Sequence, residues 1–396
     1  MASRSEVSSE LGAILLELTG RVIPDRIRGL DASLVLESPD EVWTMYFRGG
    51  RMTIGAGAPD RADTVVRADT ATLVGIQSGA VSGAGAFLDG LISVRGNLNL
   101  ALRAESLFEP LVKRPITAPR DGIALAGDHE VSIVEAGKGD PVILLHGLGA
   151  TKVSFIPTML ALAPSYRVIV PDLLGHGDTA KPRVSYSPQT FATFVLDLMD
   201  SLQIERAHLV GNSLGGRISL EVAMTDPSRV RSMSLLCPAV AFLKRRWLAP
   251  IMRRMRPELA FLPQPIPHRA VVAGIRSLFV APERLRRSWY DAAADEFLRV
   301  YRDRQARYAL FDALRHIVTD EPMGDAGFWK RLERIETPSM FLWGDADPLV
   351  PSFYSTHVEQ ALPHATVEVI TDCGHVPQFE YPAATHRKIK RFIAAA

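Results

Sequence analysis

Gly211-Asn212-Ser213-Leu214-Gly215 sets a serine between two glycines, after the apolar run Ala207 to Val210 and before a stretch with helical periodicity. A serine hydroxyl is a poor nucleophile until a base takes its proton, and a sharp turn from strand to helix lifts it clear so that a base can reach it. Glycine at 211 and 215 leaves space where side chains would collide. The helix that follows aims its free N–H groups and positive dipole end at the place where an oxyanion would form. An acid and a base stand at equivalent places. The apolar run Ser339 to Trp343 ends in Gly344-Asp345-Ala346-Asp347-Pro348, and Thr366 to Ile370 ends in Asp372-Cys373-Gly374-His375. Nucleophile, acid and base thus follow in the order Ser, Asp, His, each just past a predicted strand, which is the equipment for acyl transfer.

The elements that must hold these residues are legible as an alternation. From about Ile123 onward the pattern predicts strands at His129–Val134, Pro141–Leu145, Tyr166–Val170, Ala207–Val210 and Val230–Leu236, with helices between most of them, one over Pro188–Leu202. Near-continuous apolar strands alternating with amphipathic helices imply an α/β fold with a doubly wound, mostly parallel sheet, whose ligands sit at the carboxyl ends of the strands. Two further strand ends deliver His146-Gly147-Leu148-Gly149 and Pro171-Asp172-Leu173-Leu174-Gly175-His176-Gly177. His146, His176 and Asp172 read there as architectural groups beneath the loops. No His, Asp or Glu cluster has metal-ligand spacing, so neither metal nor cofactor is expected.

On His146-Gly147-x-Gly149, Asp172-x-x-Gly175-His176-Gly177, Gly211-x-Ser213-x-Gly215-Gly216, Gly344-x-x-Asp347-x-x-Val350-Pro351 and Gly374-His375, residues 123–396 closely resemble the α/β-hydrolase family. The resemblance implies Ser213 as nucleophile, His375 as base and then acid, and Asp347 as the carboxylate that fixes the imidazole tautomer, with Asp345 as the alternative. It also implies an oxyanion hole from the backbone N–H groups of Leu148 and Leu214. The strand pattern breaks at about 239–336, where this family places a helical cap. Residues 241 to 334 carry 19 Lys and Arg against 11 Asp and Glu. With its aromatic residues, such a cap offers an apolar acyl pocket and attraction for anionic substrates or a membrane leaflet, the run Lys244 to Arg256 being the candidate for peripheral membrane contact. The expected activity is hydrolysis of an ester or thioester of a lipophilic acid, in the manner of a serine esterase or lipase. Gly-Asn-Ser-x-Gly-Gly also resembles the carbon–carbon bond hydrolases of ring-cleavage products, although their glycine-rich oxyanion loop is reduced here to His146-Gly147-Leu148-Gly149-Ala150. A third alternative is a lipid-binding or transfer protein with an inert hydrolase half.

The first part of the chain reads as a small α+β module over residues 5–112. An amphipathic helix built on Val7, Leu11, Ile14, Leu15 and Leu18 precedes strand-like segments at Leu34–Leu36, Val42–Phe47 and Thr64–Val66, as in an antiparallel meander. Ala62 to Asp69, Ser78-Gly79, Ala86 to Gly90 and Val94-Arg95-Gly96-Asn97 resemble the sterol carrier protein type 2 (SCP2) family. That likeness implies an apolar tunnel for a lipid or sterol, with Asn97 standing where aspartate is common. Residues 113–122, with Pro115 and Pro119, read as a linker.

Composition sets the outer bounds. At 396 residues, 47% hydrophobic and with a formal net charge of +1, the chain can bury a large core and has no general attraction for nucleic acid. Cys237 and Cys373 are too few for a disulfide framework. The N-terminus lacks an apolar targeting core and no long apolar span occurs, so a cytoplasmic location is expected.

Overall fold

The computed structural model describes residues 9–109, 111, 115–242, 249–262 and 264–396. Two units emerge: one comprises the chain up to Asp121 plus Leu285–Arg299, the other Gly122–Arg284 and Val300–Ala396. Val7, Lys113, Arg114 and residues 244–248 of the basic run lie outside the described residues.

In the first unit Ser9 caps helix α1 (Glu10–Thr19), its Oγ accepting from Gly12 N at 3.1 Å, and α1 buries Leu11, Leu15 and Leu18. A single turn, α2 (Pro24–Ile27), leads to β1 (Ala32–Glu37), β2 (Val42–Arg48) and β3 (Arg51–Ala56), which pair antiparallel in that order. Gly49 and Gly50, at φ 55° and 72°, form the tight turn between β2 and β3, a geometry that favours glycine at both positions. Then β4 (Thr64–Arg67) pairs parallel with the other side of β1. After α3 (Thr70–Ser78) and α4 (Gly83–Leu88), β5 (Ser93–Gly96) joins β4 antiparallel, and α5 (Leu98–Arg103) follows. The sheet order is β3-β2-β1-β4-β5. The expected meander therefore needs correction. Its third member is β3, a strand obscured in the sequence by glycines at 49, 50, 55 and 57, and Thr64–Val66 takes a crossover to the far side of β1.

The second sheet starts earlier than the linker reading allowed, because β6 (Arg120–Ala126) includes Arg120 to Gly122 and turns through Gly127 into β7 (His129–Ala136). There follow β8 (Pro141–Leu145), α6 (Ile156–Leu162), β9 (Arg167–Pro171), α7 (Pro188–Ser201), β10 (Ala207–Asn212), α8 (Leu214–Thr225) and β11 (Val230–Leu236). The insertion contributes α9 (Ala249–Arg254), α10 (His268–Arg276), α11 (Arg287–Tyr301), α12 (Arg304–Thr319) and α13 (Phe328–Leu332). The chain closes with β12 (Ser339–Gly344), α14 (Tyr354–Ala361), β13 (Thr366–Ile370), α15 (Pro377–Glu380) and α16 (Pro382–Ala395). The strand order is β13-β12-β11-β10-β8-β9-β7-β6, with β8 to β13 pairing parallel and β7 antiparallel to β9. Central strands such as β8 and β10 bury side chains on both faces, which explains their near-continuous apolar sequence, interrupted in β10 by the buried His208 and Asn212.

Leu285–Arg299 packs within the first unit. The Trp289 ring stacks on Phe87 with centroids 5.1 Å apart, and Asp295 Oδ2 accepts from Arg95 Nε at 2.7 Å and Gly96 N at 2.9 Å. The expectation of a helical cap over about 239–336, as part of the domain 123–396, carried no information that one of its helices completes the first unit.

Candidate active site

Ser213 stands between β10 and α8 with φ 54° and ψ −113°, a backbone conformation that costs a non-glycine residue on the order of 1–3 kcal/mol. The turn is held by close approach. A Cβ at Gly211 would overlap the backbone of Gly215, and one at Gly215 would overlap the carbonyl of Leu145 at the end of β8. Only glycine at both places lets α8 start directly over the sheet.

Three neighbouring segments converge on this turn. The loop after β8 comes close enough that a Cβ on Gly147 would lie 3.4 Å from Ser213 Cβ. Among the described residues no acceptor is found for the backbone N–H of Leu148 or of Leu214, the two groups expected to bind an oxyanion. On the other side, Asn212 Nδ2 donates to Leu236 O at 3.0 Å and to His375 O at 3.1 Å, tying the serine turn to the histidine loop.

His375 and Asp347 meet directly. The imidazole Nδ1–H donates to Asp347 Oδ2 at 2.7 Å, while Oδ1 accepts from Leu349 N at 2.8 Å and Val350 N at 2.9 Å. Both groups are buried, 3% and 6% exposed. Asp345 is exposed, its Oδ1 accepting from Cys373 N at 3.3 Å. Among the described residues Ser213 Oγ makes no hydrogen bond; such contacts are often long in unliganded sites and tighten around substrate.

The other polar groups at the strand ends serve the scaffold. Buried Asp172 accepts from Lys152 N and Nζ, both at 2.7 Å, and from Asp178 N at 3.0 Å, and Lys152 Nζ also donates to Ser132 Oγ at 2.9 Å. His146 Nδ1 donates to Gly147 O at 2.8 Å, and its Nε2 accepts from Leu173 N at 3.0 Å. Burial lowers the pKa of His146, and burial reinforced by His146 lowers that of His176 to about 3. Both rings are therefore neutral at physiological pH.

Two residues were missed by sequence reasoning. Cys237, left-handed at φ 45° after β11, brings its thiol beside the pair, so that ligand atoms of Cys237, Asp347 and His375 lie within 4.8 Å of one another. Burial, with the Asp347 charge adding to it, pushes the Cys237 pKa well up, so the sulfur is a neutral thiol there rather than a thiolate ready for a metal. Glu380, on α15, is likewise buried. Its sequence signal was an acid without a nearby cation, five residues beyond His375 in an otherwise uncharged run.

Residues 140–382 match the family model described as alpha/beta hydrolase fold, and residues 14–109 match the SCP-2 sterol transfer family. The 2-hydroxy-6-oxo-2,4-heptadienoate hydrolase of Pseudomonas putida is 28% identical over 287 residues, 69% of this chain and 96% of that protein. An uncharacterized protein of Mycobacterium tuberculosis is 28% identical over 266 residues, 65% of this chain and 76% of its own length. The solved structure of CarC, a serine hydrolase involved in carbazole degradation, aligns with a TM-score of 0.60 at 23% identity, covering 70% of this chain and 100% of that one. The last likeness is one of fold.

Proposed function

Because the chain belongs to the alpha/beta hydrolase fold family, we propose that it is a serine hydrolase that cleaves an ester or thioester of a lipophilic acid through an acyl-enzyme. The observation that carries this reading is the His375–Asp347 pair at 2.7 Å, tied through Asn212 to a serine held in a strained turn. Ser213 Oγ attacks the substrate carbonyl carbon as His375 Nε2 takes its proton, and the carbonyl oxygen becomes an oxyanion facing the N–H groups of Leu148 and Leu214. Collapse breaks the bond to the alcohol or thiol, which leaves with the proton from His375. A water then gives its proton to His375 and attacks the acyl carbon; the acid departs and Ser213 regains its proton. Asp347 holds the Nδ1–H tautomer and stabilises the imidazolium throughout.

The match of residues 14–109 to the SCP-2 sterol transfer family supports a second part of the proposal, that the first unit binds a lipid. Among the described residues no helix is long and apolar enough to cross a membrane.

Labelling with a fluorophosphonate, then a chain-length series of p-nitrophenyl esters and acyl thioesters, tests the proposal. Ser213→Ala is expected to abolish labelling and to lower kcat on p-nitrophenyl butyrate by about five orders of magnitude or more. Substantial residual turnover overturns the acyl-enzyme mechanism. The second reading, carbon–carbon bond hydrolysis, is favoured by the Pseudomonas putida relative, whose name denotes a hydrolase of a dienoate. Turnover of a 2-hydroxy-6-oxo-dienoate well above that of any ester would decide for it.

A further inference from the structure

The main chain carrying His375 is held by a carboxylate that the mechanism above leaves unused. Glu380 accepts three backbone N–H groups: that of Gly374 on Oε2 at 2.7 Å, and those of Val280 and Ala281 on Oε1 at 2.9 and 2.8 Å. The same stretch of the insertion binds the histidine directly, His375 N donating to Leu278 O at 2.8 Å. The approach is close, since a Cβ at Gly374 would overlap the Leu278 carbonyl. Four hydrogen bonds thus run through one short junction, three of them on a single side chain that is 6% exposed.

These bonds are unequal to ordinary loop contacts. A carboxylate accepting N–H groups makes bonds about twice as strong as neutral ones, and leaving a buried anion partly unpartnered is unfavourable. If Leu278–Ala281 moves away, Glu380 loses two donors and His375 N–H loses its acceptor in the same event. The carboxylate therefore makes the seating of the insertion and the placement of the histidine backbone mutually dependent.

We propose that Glu380 is a positioning residue that fixes His375 against Leu278–Ala281, so that the imidazole is aimed for catalysis only while that segment is seated. This rests on the reading of His375 as the general base. Chemistry and closure of the insertion would then be coupled through one side chain that never touches substrate.

Full-length wild type, Glu380→Gln and Glu380→Asp are compared for kcat and KM on p-nitrophenyl butyrate, rate of fluorophosphonate labelling, and thermal unfolding, with activities taken per folded molecule by circular dichroism. Glutamine keeps the size but replaces one acceptor by an NH2 facing amide donors; aspartate keeps the charge with a shorter reach. In Glu380→Gln, kcat and labelling rate are expected to fall together by roughly ten- to hundredfold while KM stays within about twofold, with Glu380→Asp recovering part of the lost kcat. A lowered Tm with unchanged kcat, KM and labelling rate overturns the proposal and leaves Glu380 a purely structural group. If Glu380→Gln does not fold, Glu380→Asp decides alone: reduced kcat at unchanged KM supports positioning, and wild-type kcat rejects it. Hydrolysis that survives Ser213→Ala removes the serine reading itself, a result distinct from failure at Glu380.

Discussion

Asp345 and Asp347 lie two positions apart and have opposite surroundings. Asp347 commits one oxygen to His375 and the other to two backbone amides, so its orientation is fixed before any substrate arrives. Asp345 lies in solvent with one long contact to Cys373 N. Asp347→Asn is expected to lower kcat by about four orders of magnitude, since an amide cannot hold the required tautomer. Asp345→Asn should cost less than about tenfold, as expected for loss of one exposed loop contact. Steady-state rates on p-nitrophenyl butyrate check both, and a more damaging change at 345 would reverse the assignment. That an acid follows the strand ending at Gly344 is a local feature of the sequence; the preference for Asp347 over Asp345 came from the family resemblance through Gly344-x-x-Asp347. Cys237 was not legible in the same way: its position beside Asp347 arises from β11 and β12 pairing in parallel, which brings together residues remote in sequence.

At the scale of elements, the central strands of the large sheet, such as β8, β9 and β12, were legible because they are buried on both faces and so read as near-continuous apolar runs, whereas the edge strands β6 and β13 are largely exposed or half-buried. What escaped was set by partners rather than by local pattern. Glycines concealed β3, two prolines made the start of β6 look like a linker, and the parallel docking of β4 on β1 leaves no signature in either strand. Beneath the strand ends, the buried histidines make the scaffold sensitive to acid. The unfolded chain takes a proton on a histidine near pH 6.5, whereas folded His176 takes one only near 3. Between those values the unfolded state binds more protons, so stability falls as pH falls, by up to about 1.4 kcal/mol per pH unit from this one group. His176→Asn removes that proton linkage while keeping an amide N–H at the place of Nδ1, the atom that faces the Leu174 carbonyl. Urea unfolding at pH 7 and pH 4.5 is expected to show a smaller pH dependence in the variant than in wild type. Equal dependence in both would mean that other groups govern the acid limb.

At the scale of the whole molecule, the question is why a carrier-like module shares a chain with a hydrolase. Tethering raises the effective concentration of a poorly soluble substrate near the second unit without adding any group to the chemistry. Short soluble esters gain nothing from this, whereas long-chain ones do. The first unit contains a half-open surface pocket of about 380 Å³ between α1 and β3, lined by Leu16, Val22, Met52 and Ile54 together with the polar Thr19, Arg51 and Thr53. That volume lies within the usual range for small-molecule sites, and its walls mix apolar side chains with polar ones. Leu16→Trp, on a half-buried position of α1, puts a larger ring into this space while leaving the second unit unaltered. If the pocket carries the acyl chain, displacing about two methylenes at roughly 0.8 kcal/mol each weakens binding of a fluorescent fatty acid by about tenfold. The ratio of long-chain to short-chain specificity constants should fall in step, with butyrate turnover unchanged. Measuring both in the intact protein separates delivery from catalysis. An unchanged ratio, together with no fatty acid bound by wild type, rejects substrate delivery and leaves the first unit a structural role, in keeping with its incorporation of Leu285–Arg299 from the insertion.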